Sequence, residues 1–410
     1  MHNFNTSTIK TRKPMADKGA KIDLHNRVHP KTLAEIIKMN YRAFHEKDTL
    51  NVEANKSSIK SLPIFIWGSP GCGKSSIVRQ VADSLGIDFI DARLSQMEPC
   101  DIKGLPVPDK ENKVMEWFIN GTWPRGKDTK GILFLDELSA CDKSIAVAAY
   151  ELVLDRRLGK LYSVPDGWMI VAAGNTITDR AVANTMSSAL ANRFMHLELE
   201  TDAETFYQYA VSHNFHPAVI GYLKWRPGHL FSMEKQNLER GWPSPRSWEN
   251  VSKMCHVCPN EDILRKVVYG LVGNAVGVEF MEFYKLSGKF DDILKYMLDD
   301  KLDIEKFYGP LRDLEMSQKY AITSALVYHV WRAKDRAEQE KRVNGFFRIL
   351  EKLSSEFASM GCLGAMQGTD LISSGDACDI LSETEGYRKF IEKHRDHIHK
   401  KVNVTVDLDE

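Results

Sequence analysis

From Gly68 to Ser76 the chain reads Gly68-Ser69-Pro70-Gly71-Cys72-Gly73-Lys74-Ser75-Ser76, which fits G-x-x-x-x-G-K-[ST] at every fixed position. The glycines let the backbone curl until successive N–H groups point inward, the geometry that suits phosphate oxygens. An apolar run from Pro63 to Trp67 precedes the loop, and a helical stretch from Ser75 to Leu85 follows it, closed by Gly86. The start of that helix adds a partial positive charge to the same place. In this setting Lys74 reaches the β- and γ-phosphates of a nucleoside triphosphate, and the Ser75 hydroxyl ligates Mg²⁺. A glycine turn that binds nothing is the plainer alternative; the strand before and the helix after weigh against it.

Two acids close a second apolar run, Gly131-Ile-Leu-Phe-Leu-Asp136-Glu137, 62 residues beyond Lys74. Asp136 would face Mg²⁺ through its water shell, and Glu137 would polarise an attacking water as general base, a task that needs a carboxylate within hydrogen-bond reach. A third apolar run, Met169-Ile-Val-Ala-Ala-Gly-Asn175, delivers an amide that could bond the same water or the γ-phosphate. Two arginines follow: Arg193 in Ser187-Ser-Ala-Leu-Ala-Asn-Arg-Phe194, and Arg246 in Trp242-Pro-Ser-Pro-Arg-Ser-Trp248, where Pro245 suits a first helical turn. Either arginine could instead sit on the surface in an ordinary salt bridge.

To hold these groups together the chain needs a sheet. Short β-rich runs recur at 63–67, 87–90, 132–135, 169–173 and 195–199, separated by segments long enough for helices, which argues a parallel five-stranded sheet flanked by helices. An amphipathic helix over 30–46 (Leu33, Ile36, Ile37, Tyr41, Phe44) opens this α/β core, expected to span 30–200. Ahead of it, residues 1–29 are polar and basic and read as a disordered tail. Beyond 200 the texture turns helical, over 202–213, 216–224, 246–256, 261–284 and 290–297 and again over 317–342 and 344–360. That gives a helical lid at 201–300 and a helical C-terminal extension at 301–410.

Composition narrows the field. No apolar run approaches the ~18–20 residues needed to span a bilayer. Fifty-five basic against 56 acidic residues leave a net charge of −1, which gives no global pull toward nucleic acid or anionic membrane. Seven cysteines, an odd number spread along the chain, suit a reducing cytoplasm better than an oxidised framework. Cys255-His-Val-Cys258 has metal-ligand spacing, but no second pair stands at a zinc-finger distance, and packing is the simpler reading. His394, His397 and His399 sit in a charged C-terminal stretch and are expected to face solvent.

Taken in order, these motifs resemble the AAA+ superfamily and, within it, the MoxR-like and dynein-related group that carries a helix-2 insertion. The resemblance covers roughly residues 60 to 255. It implies that Gly68 to Ser75 is Walker A, Asp136-Glu137 Walker B, Asn175 sensor 1, Arg193 the arginine finger and Arg246 the sensor 2 arginine. Ala92 to Gly104 is similar to the group's signature ahead of its insertion, and 104–120, with Val114-Met-Glu-Trp-Phe118, would be the inserted hairpin. Further implications are ATP and Mg²⁺ as ligands, a homo-oligomeric ring (usually a hexamer), and a finger that reaches the neighbouring subunit's γ-phosphate. Members of the group serve as chaperone-like activators, often beside a protein with a von Willebrand A domain. Trp117 and Phe118 are the candidate substrate-touching residues, or else core of the hairpin base. Two other readings stay open: a nucleic-acid-dependent helicase or translocase, and a nucleotide-dependent switch or scaffold with slow hydrolysis.

Overall fold

In the computed structural model of the chain, residues 26–45, 61–159, 162–176, 186, 188–233, 241–369 and 371–393 are described. The expected tail up to residue 25 and the histidines His394, His397 and His399 lie outside them. The sheet half contains β1 (Arg27–Val28), α1 (Pro30–His45), β2 (Ile64–Trp67), α2 (Lys74–Leu85), β3 (Asp88–Arg93) and α3 (Pro99–Lys103). It continues through β4 (Leu105–Asp109), β5 (Val114–Phe118), β6 (Gly131–Asp136), α4 (Lys143–Asp155), β7 (Arg157–Leu158), β8 (Tyr162–Ser163), β9 (Trp168–Gly174), α5 (Ser188–Ala191) and β10 (Met195–Leu199).

Six of these strands form one parallel sheet in the order β1-β10-β2-β9-β6-β3. Alternation along each buried strand decides the layering. In β6, Leu133 and Leu135 face a layer containing α3 and α4, through Ile102, Ile145 and Leu152. Ile132 and Phe134 face the opposite layer, built from Leu33 and Ile37 of α1 and Val78 and Val81 of α2. The sheet therefore has six strands where five were expected. The sixth, β1, is two residues long, too short to leave a periodic signal. Val28 is buried, and Arg27 pairs with Glu200 at 2.8 Å and lies 3.8 Å from Glu198. Arg27 and Val28 thus belong to the sheet, where sequence placed the end of a tail.

Two antiparallel ribbons interrupt the sheet half. β4 pairs with β5, and β7 with β8. The first is the expected hairpin, held out from the body with Leu105, Met115, Trp117 and Phe118 exposed. The second tucks Leu158 and Tyr162 into the core, where the Tyr162 hydroxyl donates to Pro124 O at 2.9 Å.

After β10 the chain is helical: α6 (Ala203–Ser212), α7 (Pro217–Trp225), α8 (Pro245–Val257), α9 (Glu261–Val272), α10 (Asn274–Gly288), α11 (Ile293–Leu298) and α12 (Glu305–Tyr308). It ends with α13 (Met316–Val330), α14 (Arg336–Leu350), α15 (Ser355–Met366) and α16 (Ser374–Glu383). Side-chain caps set several starts. Asn260 accepts from Asp262 N–H and Ile263 N–H, and Asp335 from Glu338 N–H. The Asn260 cap sits at the start expected from sequence, but periodicity missed two breaks: 261–284 divides at Gly273, and 317–342 divides between Trp331 and the Asp335 cap. Helices on both sides of residue 300 share one hydrophobic core from Tyr207 to Phe390, centred on Tyr222, Trp248, Phe280, Phe346 and Phe347. Cys255 is packed in it, its thiol pushed up to about 12 by burial.

Candidate active site

In a parallel sheet the carboxyl ends of the strands share one edge, and there the chain places its chemistry-bearing residues. β2 ends at Trp67 and passes directly into the 68–73 loop, with α2 starting at Lys74. Gly71 takes a φ of 82°, in the left-handed region that side chains avoid, and a Cβ there would lie 3.0 Å from Ser244 Oγ of the helical half. Cys72, at a variable position of the motif, is buried beneath the loop.

Lys74 Nζ donates to Gly68 O at 2.6 Å, to Ser69 O at 3.2 Å and to Asn175 Oδ1 at 3.2 Å. The last bond sets the tip of β9 against the phosphate loop, as expected for a strand lying between β2 and β6. Asn175 is held in turn: its N–H donates to Ser139 Oγ at 3.1 Å. That hydroxyl sits so close to β9 that a Cβ on Gly174 would lie 2.6 Å from it.

Asp136 and Glu137 end β6. The Glu137 N–H donates to Asp136 Oδ1 at 2.9 Å. Burial raises the Asp136 carboxyl above its ordinary value, with the charges of Asp91 and Glu137 acting the same way; the Glu137 N–H and Lys74 oppose them. Glu137 itself stands at φ 60°, a left-handed conformation costing a non-glycine residue on the order of 1–3 kcal/mol, and its carboxylate accepts a hydrogen bond from the Ser95 hydroxyl. Strain of this kind gathers where a side chain must be aimed. The Ser75 hydroxyl and the Asp136 carboxylate are hard oxygen donors of the kind Mg²⁺ takes. A cation beside Asp136 would favour its ionised form against the burial that opposes it.

The helical half closes the site from the other side. Ser244 caps α8, its Oγ accepting from Ser247 N–H at 3.2 Å, and the Arg246 N–H donates to Gly71 O at 3.4 Å. Between the halves lies a cleft of about 730 Å³, lined by Lys31 and Ala34 of α1, Gly73 of the loop, Tyr209 of α6, Arg246 and Gln367. Its volume is within the range of small-molecule pockets.

Arg193 is not brought to this edge. Met195 pairs with Ile64, the first residue of β2, so Arg193 lies beyond the amino end of a strand whose carboxyl end carries the loop. At about 3.3 Å per residue the two ends of this four-residue strand are on the order of 10 Å apart. The side chain is exposed, while the next one, Phe194, is buried with its ring edge-on to Phe65 at 5.4 Å.

Contributors not singled out from the sequence include Ser95, Ser139, Gln367 and the cleft-lining Lys31, Ala34 and Tyr209. Ser139 follows Asp136 by three residues and could have been suspected as a turn residue. Ser95 lies within the Ala92–Gly104 signature stretch but was not singled out there, and Gln367 reaches the site through the fold with no local signal.

Residues 64–199 match the family model for the ATPase family associated with various cellular activities (AAA). A curated relative, the denitrification regulatory protein NirQ of Stutzerimonas stutzeri, is 27% identical over 121 residues, covering 28% of this chain and 43% of that protein. The chain thus spans less than half the length of the curated relative it matches. Among solved structures, the RuvB Holliday junction branch migration motor of Thermotoga maritima aligns over 68% of this chain and 83% of its own. At 14% identity and a TM-score of 0.33 it carries no weight in the argument. Residues 64–199 are an AAA ATPase domain, and the family expected from the motifs is borne out on this segment. Among the described residues no helix is long and apolar enough to cross a membrane.

Proposed function

We propose that the chain hydrolyses ATP with Mg²⁺ in a homo-oligomeric ring, a hexamer by resemblance, and uses the cycle to remodel or activate a protein partner. In this reading the loop from Gly68 to Ser76 cradles the phosphates, Lys74 neutralises the β- and γ-phosphates, and Ser75 and Asp136 hold Mg²⁺. The metal would supply charge neutralisation on the transferred phosphoryl group. Glu137 takes the proton from the attacking water, Asn175 orients that water or the γ-phosphate, and Arg246 contacts the nucleotide from the helical half.

One observation carries the oligomeric part. Arg193 stands at the opposite end of the sheet from its own phosphate loop, too far for an arginine side chain to span, and exposed. An arginine so placed can serve a γ-phosphate held by a neighbouring copy. The partner-directed part is supported by the β4–β5 ribbon. It projects apolar side chains, including Trp117 at 44% and Phe118 at 64% exposure, so neither is core of the hairpin base. Such side chains grip extended peptide by apolar contact. A von Willebrand A domain protein is the partner class to which the resemblance points.

The test combines hydrolysis with assembly. Phosphate release should require Mg²⁺ and vanish in Lys74→Ala, and Glu137→Gln with ATP should sediment as a closed oligomer. A monomer with full Mg²⁺-dependent activity would overturn the shared-site reading.

A further inference from the structure

Arg193 follows a four-residue helix, α5, which cannot by itself hold an arginine in place. What fixes it lies on the face of the sheet where Phe65 and Trp67 of β2 stand beside His196 of β10 and Phe194 just ahead of that strand. In the register of the two strands His196 pairs with Phe65, and the residues two apart share its face. The rings form one group: Phe65 to Trp67 at 4.3 Å, Phe65 to His196 at 5.7 Å, and Trp67 stacked on His196 at 6.1 Å with 21° between planes.

Two hydrogen bonds run through it. Trp67 Nε1–H donates to His196 Nδ1 at 3.0 Å, and His196 Nε2 lies 2.8 Å from Ala191 O. An indole nitrogen is a donor only, so Nδ1 must be the unprotonated ring nitrogen and Nε2–H must be the donor to Ala191 O. Ala191 is the last residue of α5, two before Arg193, and its carbonyl also accepts from the Phe194 N–H at 3.3 Å, so the His196 bond adds to a turn already closed by the backbone. At the other end, Trp67 immediately precedes Gly68, the first residue of the phosphate loop.

We propose that Trp67 and His196 are positioning residues for Arg193, a hydrogen-bonded relay that ties the arginine presented to the neighbouring subunit to the phosphate loop of its own subunit. This rests on the reading that Arg193 acts in trans. The relay fixes the turn from which the guanidinium projects. Because it begins one residue before the loop, a change of loop conformation on nucleotide exchange is passed to the arginine serving the next site.

Mixed assemblies separate the possibilities. Glu137→Gln subunits keep a sound Arg193 and a dead site; Arg193→Ala subunits keep a sound site and no finger. Trp67→Phe keeps an aromatic ring, though a smaller one, and removes the donor. Alone, it should bind ADP as wild type does while turnover drops about tenfold or more, the size expected of a misplaced catalytic group. Mixed one to one with Glu137→Gln, the Trp67→Phe sites should recover turnover, as Arg193→Ala sites should, because the neighbour supplies a sound arginine. As a second pair, His196→Phe should match Trp67→Phe. His196→Gln, which keeps a donor and an acceptor, should restore much of the turnover. Recovery of Arg193→Ala but not of Trp67→Phe, or a Trp67→Phe protein with undiminished turnover, would overturn the relay alone. Failure of Arg193→Ala to recover would overturn the trans reading, and the relay with it.

Discussion

In the sheet half, from β1 to β10, the candidate groups Lys74, Asp136 and Asn175 stand at or just beyond the carboxyl end of a buried strand. In the helical half, from α6 to α16, the large buried side chains belong to one continuous core; it contributes a helix start, Ser244 to Arg246, laid against Gly71, with Tyr209 and Gln367 lining the cleft. The first half is built to fix atoms, since strands buried on both faces leave little freedom at their tips. The second is built as a body that can bear on the loop. A nucleotide in the cleft between Lys31 and Gln367 would touch both halves, so binding and domain position are linked by construction.

The largest expected effect lies in the sheet half. Arg193→Ala should cut turnover about 10³–10⁵-fold, the value of a finger supplied in trans, with nucleotide affinity little changed. Phosphate release beside equilibrium nucleotide binding checks it, and comparable losses in both would mean that the arginine serves its own site. Next comes the helical core. Phe280 is fully buried against Tyr222 and Trp248, so Phe280→Ala should cost about 3–5 kcal/mol in urea unfolding. It should weaken nucleotide binding as well, because Trp248 sits on the helix that carries Arg246. Unchanged binding would uncouple the halves.

Acid should sharpen the contrast. His216 and His329 of the helical half are pushed down to about 4, mainly by burial, aided by His256 for the first and by Arg342 and Arg332 for the second. The unfolded chain takes up those protons near pH 6.5. Between about 6.5 and 4 the unfolded state therefore binds more protons, and stability falls as pH falls, by roughly 2–3 kcal/mol for each histidine. Unfolding at pH 7.5 and pH 5 should show the loss, and replacing His329 by Gln should lessen it. The smallest effect belongs to the β4–β5 ribbon. Trp117→Ala and Phe118→Ala should change stability by no more than about 0.5 kcal/mol, as exposed positions do, and leave basal hydrolysis intact while partner remodelling is lost.

Legibility in the sequence followed the same division. β2, β3, β6, β9 and β10 were readable because their β-rich runs are bounded by turn residues, and Lys74, Asp136 and Asn175 came with them. β1 was not, since two residues carry no period and its place depends on Arg27 meeting Glu198 and Glu200 from a distant segment. Nor was the Ser95 bond to Glu137, which exists because β3 and β6 are neighbours in the sheet. In the helical half periodicity found helices but missed their breaks at Gly273 and near Asp335, because apolar spacing can continue across a turn. That one core runs past residue 300 is a matter of packing, and no local pattern announces it.

The measurement that bears most directly on a site shared between subunits is hydrolysis per subunit as a function of protein concentration, for wild type, Glu137→Gln and Arg193→Ala. The account predicts a rate that climbs with concentration to a plateau in the wild type and is lost in both variants at every concentration. A rate independent of concentration that survives Arg193→Ala would contradict it and mark a self-contained site.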